Sequence, residues 1–83
     1  IIILFIKNLY NMKKINKIEI YINGKKTLTD KGAKLSNLIK DLDIPLKKVA
    51  IELNQAIVDK KRLNIIKLKK YDKIEIVHFI GGG

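Results

Sequence analysis

Residues 17–22, Lys-Ile-Glu-Ile-Tyr-Ile, alternate strictly and run directly into Asn23-Gly24. Alternation with period two puts Ile18, Ile20 and Ile22 on one face of a strand and Glu19 and Tyr21 on the other. An Asn-Gly pair supplies two residues that accept positive φ, which a two-residue hairpin turn requires. The chain is therefore committed early to antiparallel β structure with one face buried. Residues 25–29 (KKTLT) are expected to return as a second strand with Leu28 facing inward, before Asp30, Lys31 and Gly32 break the pattern.

Leu35, Leu38, Ile39 and Leu42 recur at helical spacing, which predicts an amphipathic helix over 34–42. Ala33 and Lys34 stand where a capping Ser, Thr or Asp would serve. Pro45 fixes the stop, because the residue before proline avoids helical geometry. Residues 49–53 (VAIEL) alternate again with Val49, Ile51 and Leu53 inward, Asn54-Gln55 turns the chain, and Ala56 to Val58 make a short strand. A helical turn at 60–64 and a basic connecting stretch, read as a solvated face, lead to a turn at Tyr71-Asp72 and a last strand over 73–80 (KIEIVHFI). Hairpin, helix, then two or three strands describe a two-layer α+β design. The expected fold is the β-grasp or ubiquitin-like one: a mixed four- to five-stranded sheet with one main helix packed on one face.

Eighty-three residues suffice for about one domain. A chain of this size buries only about 60% of the surface its unfolded form exposes, and a deep active-site cavity would consume most of that core. The length therefore argues against a self-contained enzyme. With no Cys, disulfides, thiolate metal sites and Cys nucleophiles are excluded. One His (His78) and eight scattered acids leave no metal-ligand pattern. The formal charge of +10 invites a polyanion-binding reading, but 17 Lys stand against one Arg (Arg62), and Ile, Lys and Asn together fill 41 of the 83 positions. That is the bias of an AT-rich genome rather than of a recognition surface, which favours the bidentate arginine fork.

Ile1 to Ile6 is far too short to span a bilayer. Its positive charge follows rather than precedes the apolar run, unlike a secretory signal. Residues 1–11 are read as a non-native or disordered N-terminal extension with Met12 the natural start, 12–80 as the β-grasp domain, and 81–83 as a flexible glycine tail. With no targeting segment recognised, a cytoplasmic setting is expected.

Gly81-Gly82-Gly83 follow the last strand directly. At about 3.6 Å each they extend about 10 Å of backbone. Without Cβ atoms they can thread a channel closed to any side chain, offering a main-chain carboxylate to another protein's active site. Val77 and Phe79 share parity with Glu75, opposite the inward Ile74, Ile76 and Ile80, and an outward apolar pair beside the tail suggests docking. Val77, His78, Phe79 and Ile80 form the expected partner-docking segment. His78 is taken as a contact near a strand end, since a lone His without a hydrogen-bonded nucleophile is seldom a general base.

From Met12 onward the chain resembles the sulfur carrier family of thiamin biosynthesis. Ile20 to Gly24 (IYING), Val49 to Val58 (VAIELNQAIV) and above all Ile74 to Gly83 (IEIVHFIGGG) carry the resemblance. Lys34 departs from it where a Thr is common, Leu63 where Trp is frequent, and Tyr71 where Gly is usual. The resemblance implies a protein co-substrate with no catalytic residue and no bound cofactor. An adenylating enzyme related to ubiquitin activators would use ATP to join the Gly83 carboxylate to AMP. Sulfur from a cysteine desulfurase would displace AMP, and thiazole synthase would consume the thiocarboxylate. It also implies no nucleic-acid or membrane partner and a monomer when free. Two alternatives share the fold. The small subunit of molybdopterin synthase usually has a Pro-containing segment before its tail, absent from Ile76 to Ile80. An RNA-binding β-grasp module would need stacking aromatics, for which Tyr21 and Phe79 are thin support.

Overall fold

The computed structural model describes residues 16–80. The expected extension at 1–11 and the glycine tail at 81–83 fall outside the described residues. Among the described residues are five strands, β1 (Lys17–Ile22), β2 (Lys25–Asp30), β3 (Val49–Leu53), β4 (Ala56–Ile57) and β5 (Lys73–His78), and one helix, α1 (Leu35–Asp41), with two short 3-10 turns at Leu46–Lys48 and Lys60–Arg62. The sheet order is β2-β1-β5-β3-β4. β5 runs parallel to β1 and antiparallel to β3 at the centre of the sheet. This is the mixed five-stranded β-grasp arrangement with one helix on one face.

Two tight turns set the register. Asn23 and Gly24 take φ of 49° and 78°, so Ile22 pairs with Lys25 and every later rung follows. Leu28 then lies opposite Glu19, on the open face, and is 59% exposed. The inward placement expected for Leu28 is corrected: a two-residue turn sends Thr27 and Thr29, not Leu28, to the side of Ile20 and Ile18. The second turn, Asn54-Gln55, repeats the left-handed pair without any glycine, at φ of 51° and 73°.

Leu35, Leu38 and Ile39 are buried, together with Ile20, Val49, Ile51, Ile74 and Ile76 from the sheet. Each such side chain contributes about 1.5–3 kcal/mol relative to exposure. Leu42 lies past the helix and is 43% exposed, so it does not complete the apolar stripe. The helix ends because Asp43 takes a φ of 53°. The Asp43 N–H donates to the Lys40 carbonyl and the Ile44 N–H to the Ile39 carbonyl, a Schellman stop with Pro45 just beyond.

At the other end of α1, Lys34 has no side-chain acceptor, and the structure replaces it. Asn37 Oδ1 accepts from the Lys34 N–H at 2.9 Å. The Leu35 and Ser36 N–H groups donate to the carbonyls of Ile66 and Leu63 at 2.8 and 3.0 Å. The stretch after β4 is therefore more than a solvated connection: its lysines are exposed, but Leu63 and Leu68 are core residues. No described helix is long and apolar enough to cross a membrane.

Candidate functional site

The segment that leads to the glycines is β5, and the sheet grips it along its length. Beyond Ile22 the neighbouring β1 turns away into its hairpin, leaving the next rungs of β5 without a backbone partner on that side. Asn23 takes over: its Oδ1 accepts from the Ile76 N–H at 2.7 Å and its Nδ2 donates to the Ile76 carbonyl at 3.3 Å. On the opposite flank Asn54 Oδ1 accepts from the Lys73 N–H at 2.9 Å, and its Nδ2 donates to Asp72 Oδ1 at 3.0 Å. Asp72 is itself buried and accepts the Lys69 N–H at 2.8 Å. Read from sequence, the two asparagines were only turn formers. Their side chains also act as extra rungs for the strand that carries the tail, a role their turn motif does not announce.

At the exit end, Val77 lies opposite Ala50 on the open face and is half exposed, as is Phe79. His78 lies opposite Val49, on the helix side, and is exposed at the strand end. β5 ends at His78, two residues short of the expected strand. Ile80 is fully exposed rather than inward, because the sheet has no further rung to turn it toward the core. Of the four expected docking residues, Val77 and Phe79 therefore share an exposed apolar character beside the exit, and His78 belongs to the other face. Gly81, Gly82 and Gly83 lie outside the described residues.

Farther across the open face, Tyr21 donates its hydroxyl to Glu19 Oε2, and Lys26 Nζ lies 3.3 Å from Glu19 Oε1. The tyrosine hydrogen bond, helped by Lys26, holds the Glu19 carboxyl below its ordinary range against an opposing effect of desolvation. The same hydrogen bond, with burial, pushes the Tyr21 phenol up. This cluster orders the β1–β2 hairpin, and nothing in it is placed to attack a substrate. A groove of roughly 660 Å³ is lined by Ile18, Leu28 and Leu68 with Lys17, Lys31 and Lys67. It lies before the first residue of β5, at the end of the sheet away from the exit. Among the described residues there is no group of three or more His, Cys, Asp or Glu placed to hold a metal ion. The site is therefore an exit with an apolar flank rather than a cavity.

A model of the ThiS family matches residues 10–83. The chain is similar to the sulfur carrier protein ThiS of Bacillus subtilis, 38% identical over 66 residues that cover 77% of this chain and 98% of the relative. It is equally similar, at 38% over 66 residues, to part of a thiazole synthase of Magnetococcus marinus. There the match covers 80% of this chain but only 20% of the relative, so the chain spans about a fifth of that protein's length. Among solved structures, the thiamine biosynthesis protein (ThiS) of Geobacter metallireducens superposes with a TM-score of 0.70 at 25% identity, covering 80% of this chain and all of that one.

Proposed function

The chain belongs to the ThiS family, and on that premise we propose that it is a sulfur carrier of thiamin biosynthesis whose reacting group is the Gly83 carboxylate. The observation that carries this reading is the match of the family through all three glycines, on a central strand that ends two residues before them. The chain serves as a co-substrate, and partner enzymes supply the catalysis.

A carboxylate is a poor electrophile because neither oxygen is a leaving group. In the proposed cycle a Gly83 oxygen attacks the α-phosphorus of ATP in the adenylating enzyme, and pyrophosphate departs. A cysteine desulfurase forms a persulfide, a thiol reductant releases its outer sulfur as sulfide while being oxidised to a disulfide, and the sulfide adds to the carbonyl carbon. The carbon–oxygen bond to phosphate breaks, AMP leaves, and a thiocarboxylate remains for thiazole synthase. Thiazole synthase as the receiving partner is supported by relatives of that name that contain a ThiS-like portion. The chain has no Cys, so no side chain competes as the sulfur-bearing group. ATP-dependent activation of this kind suits a cytoplasmic setting and a carrier that is monomeric when free.

Docking falls to the open face beside the exit. Val77 and Phe79 present apolar surface there, with Ala50 opposite Val77, while Gly81 and Gly82 carry the chain into the partner's channel. Phe79→Asp is expected to raise KM for the adenylating enzyme while the protein still melts cooperatively. Pyrophosphate release with Mg-ATP and the cognate enzyme measures it. An unchanged KM would remove Phe79 from the docking surface, and no release from the unaltered protein would remove the carrier reading.

A further inference from the structure

Phe79 lies one residue past β5, yet it is held from two directions. Its N–H donates to the Lys48 carbonyl at 2.9 Å, continuing the pairing of β5 with the β3 side by one rung. The Lys60 ammonium stands 5.5 Å from the centroid of its ring. That ammonium is also anchored, donating to the Leu46 carbonyl. Its backbone is fixed in turn, because Asp59 caps the turn that begins at Lys60, with Oδ1 accepting the Lys61 N–H at 2.9 Å. A cation within about 6 Å of an aromatic centroid is attracted to the ring, and a tethered one loses less freedom in meeting it. Past Phe79 this guidance stops, for Ile80 is fully exposed.

Building on the carrier reading, we infer that Lys60 is a positioning residue: by holding the Phe79 ring it sets the direction in which the chain leaves the sheet toward its reacting end. Glycine residues carry little directional preference of their own. The last side chain before them that the protein can orient firmly is Phe79. Delivery of a carboxylate to within about 3–3.5 Å of the atom it attacks gains from orientation fixed before docking. Lys60 acts through Phe79 and touches no reacting atom.

The test uses the full chain and the variants K60A, K60R, F79L and K60A/F79L. NMR relaxation of the Phe79 and Ile80 amides is measured in the free protein, and pyrophosphate release with the adenylating enzyme gives kcat and KM. K60A is expected to loosen both amides and lower kcat/KM about three- to tenfold, the range of one cation–π contact and its anchor, with the melting midpoint unmoved. K60R, which keeps the cation and its donors, stays near the unaltered protein, and K60A adds nothing once F79L has removed the ring. Unchanged amide relaxation in K60A overturns the inference. So does a K60A loss that persists in full beside F79L, which would mean a direct contact of Lys60 with the partner. If the unaltered protein releases no pyrophosphate, the carrier reading fails separately, and the relaxation profile alone decides the role of Lys60.

Discussion

Tyr71 holds φ at 70° in the turn that feeds β5, and its N–H donates to the Glu19 carbonyl at 2.7 Å, tying that turn to β1. An L-residue in the left-handed region costs about 1 kcal/mol, partly repaid here by the Lys70 ammonium 4.9 Å from the ring. Tyr71→Gly removes the strain but loosens the unfolded chain. The net expectation is a gain of about 0.5 kcal/mol, or a few degrees in melting midpoint, and a lower midpoint would show that the ring outweighs its backbone. Glu19 and Tyr21 give a second residue-scale prediction. Glu19 titrates lower folded than unfolded, so its contribution is present above the carboxylate range and fades as pH falls through it. Tyr21 titrates higher, so its contribution is present below the phenol range and fades as pH rises through it. Tyr21→Phe should flatten the alkaline limb of stability against pH and shallow the acid limb, where Lys26 still acts. Denaturant melts at acid, neutral and alkaline pH test this, and identical profiles for the two proteins would contradict it.

β5 depends on side chains for rungs that strands do not supply. Asn23→Gly keeps a turn-competent residue but leaves the Ile76 N–H and carbonyl without the amide that now satisfies both. The expected cost is about 1–3 kcal/mol, with faster hydrogen exchange at the Ile76 amide than in the unaltered protein. Equal stability would mean that water substitutes for the amide. At α1, Lys34 already has the extended backbone of a cap, φ −93° and ψ 156°, so Lys34→Thr should add about 0.5–1 kcal/mol in thermal melts. These cases also show what was legible. Alternation gave β1, β3 and the inner side of β5, because a half-buried strand writes its faces into every second residue. It misplaced Leu28, since the turn and not the local pattern chooses which parity of β2 meets the core. It could not find Leu63 or Leu68, which follow neither period and are buried only because their stretch packs back onto α1 to satisfy its first N–H groups. The roles of Asn23 and Asn54 were hidden for the same reason: their partners lie 53 and about 19 residues away.

For the whole molecule, one sheet divides labour between its faces. The helix side holds the core, and the open side offers Val77 and Phe79 beside the exit. The three glycines and the apolar pair before them were readable from sequence because each is a local pattern. The grip on Phe79 was not, since Lys48 and Lys60 reach it from separate elements. The carrier cycle turns on a single carboxylate, and the intact mass of the protein reports its chemistry. The protein is incubated with its adenylating enzyme, Mg-ATP, a cysteine desulfurase, cysteine and a thiol reductant, beside a variant lacking Gly82 and Gly83. That deletion withdraws the end by about 7 Å, well beyond attack distance. The expected result is exchange of one oxygen for sulfur, located on the C-terminal glycine of the full chain, and no change in the shortened chain although it melts as before. Sulfur on the shortened chain, or none on the full chain in the presence of its own partners, would contradict it.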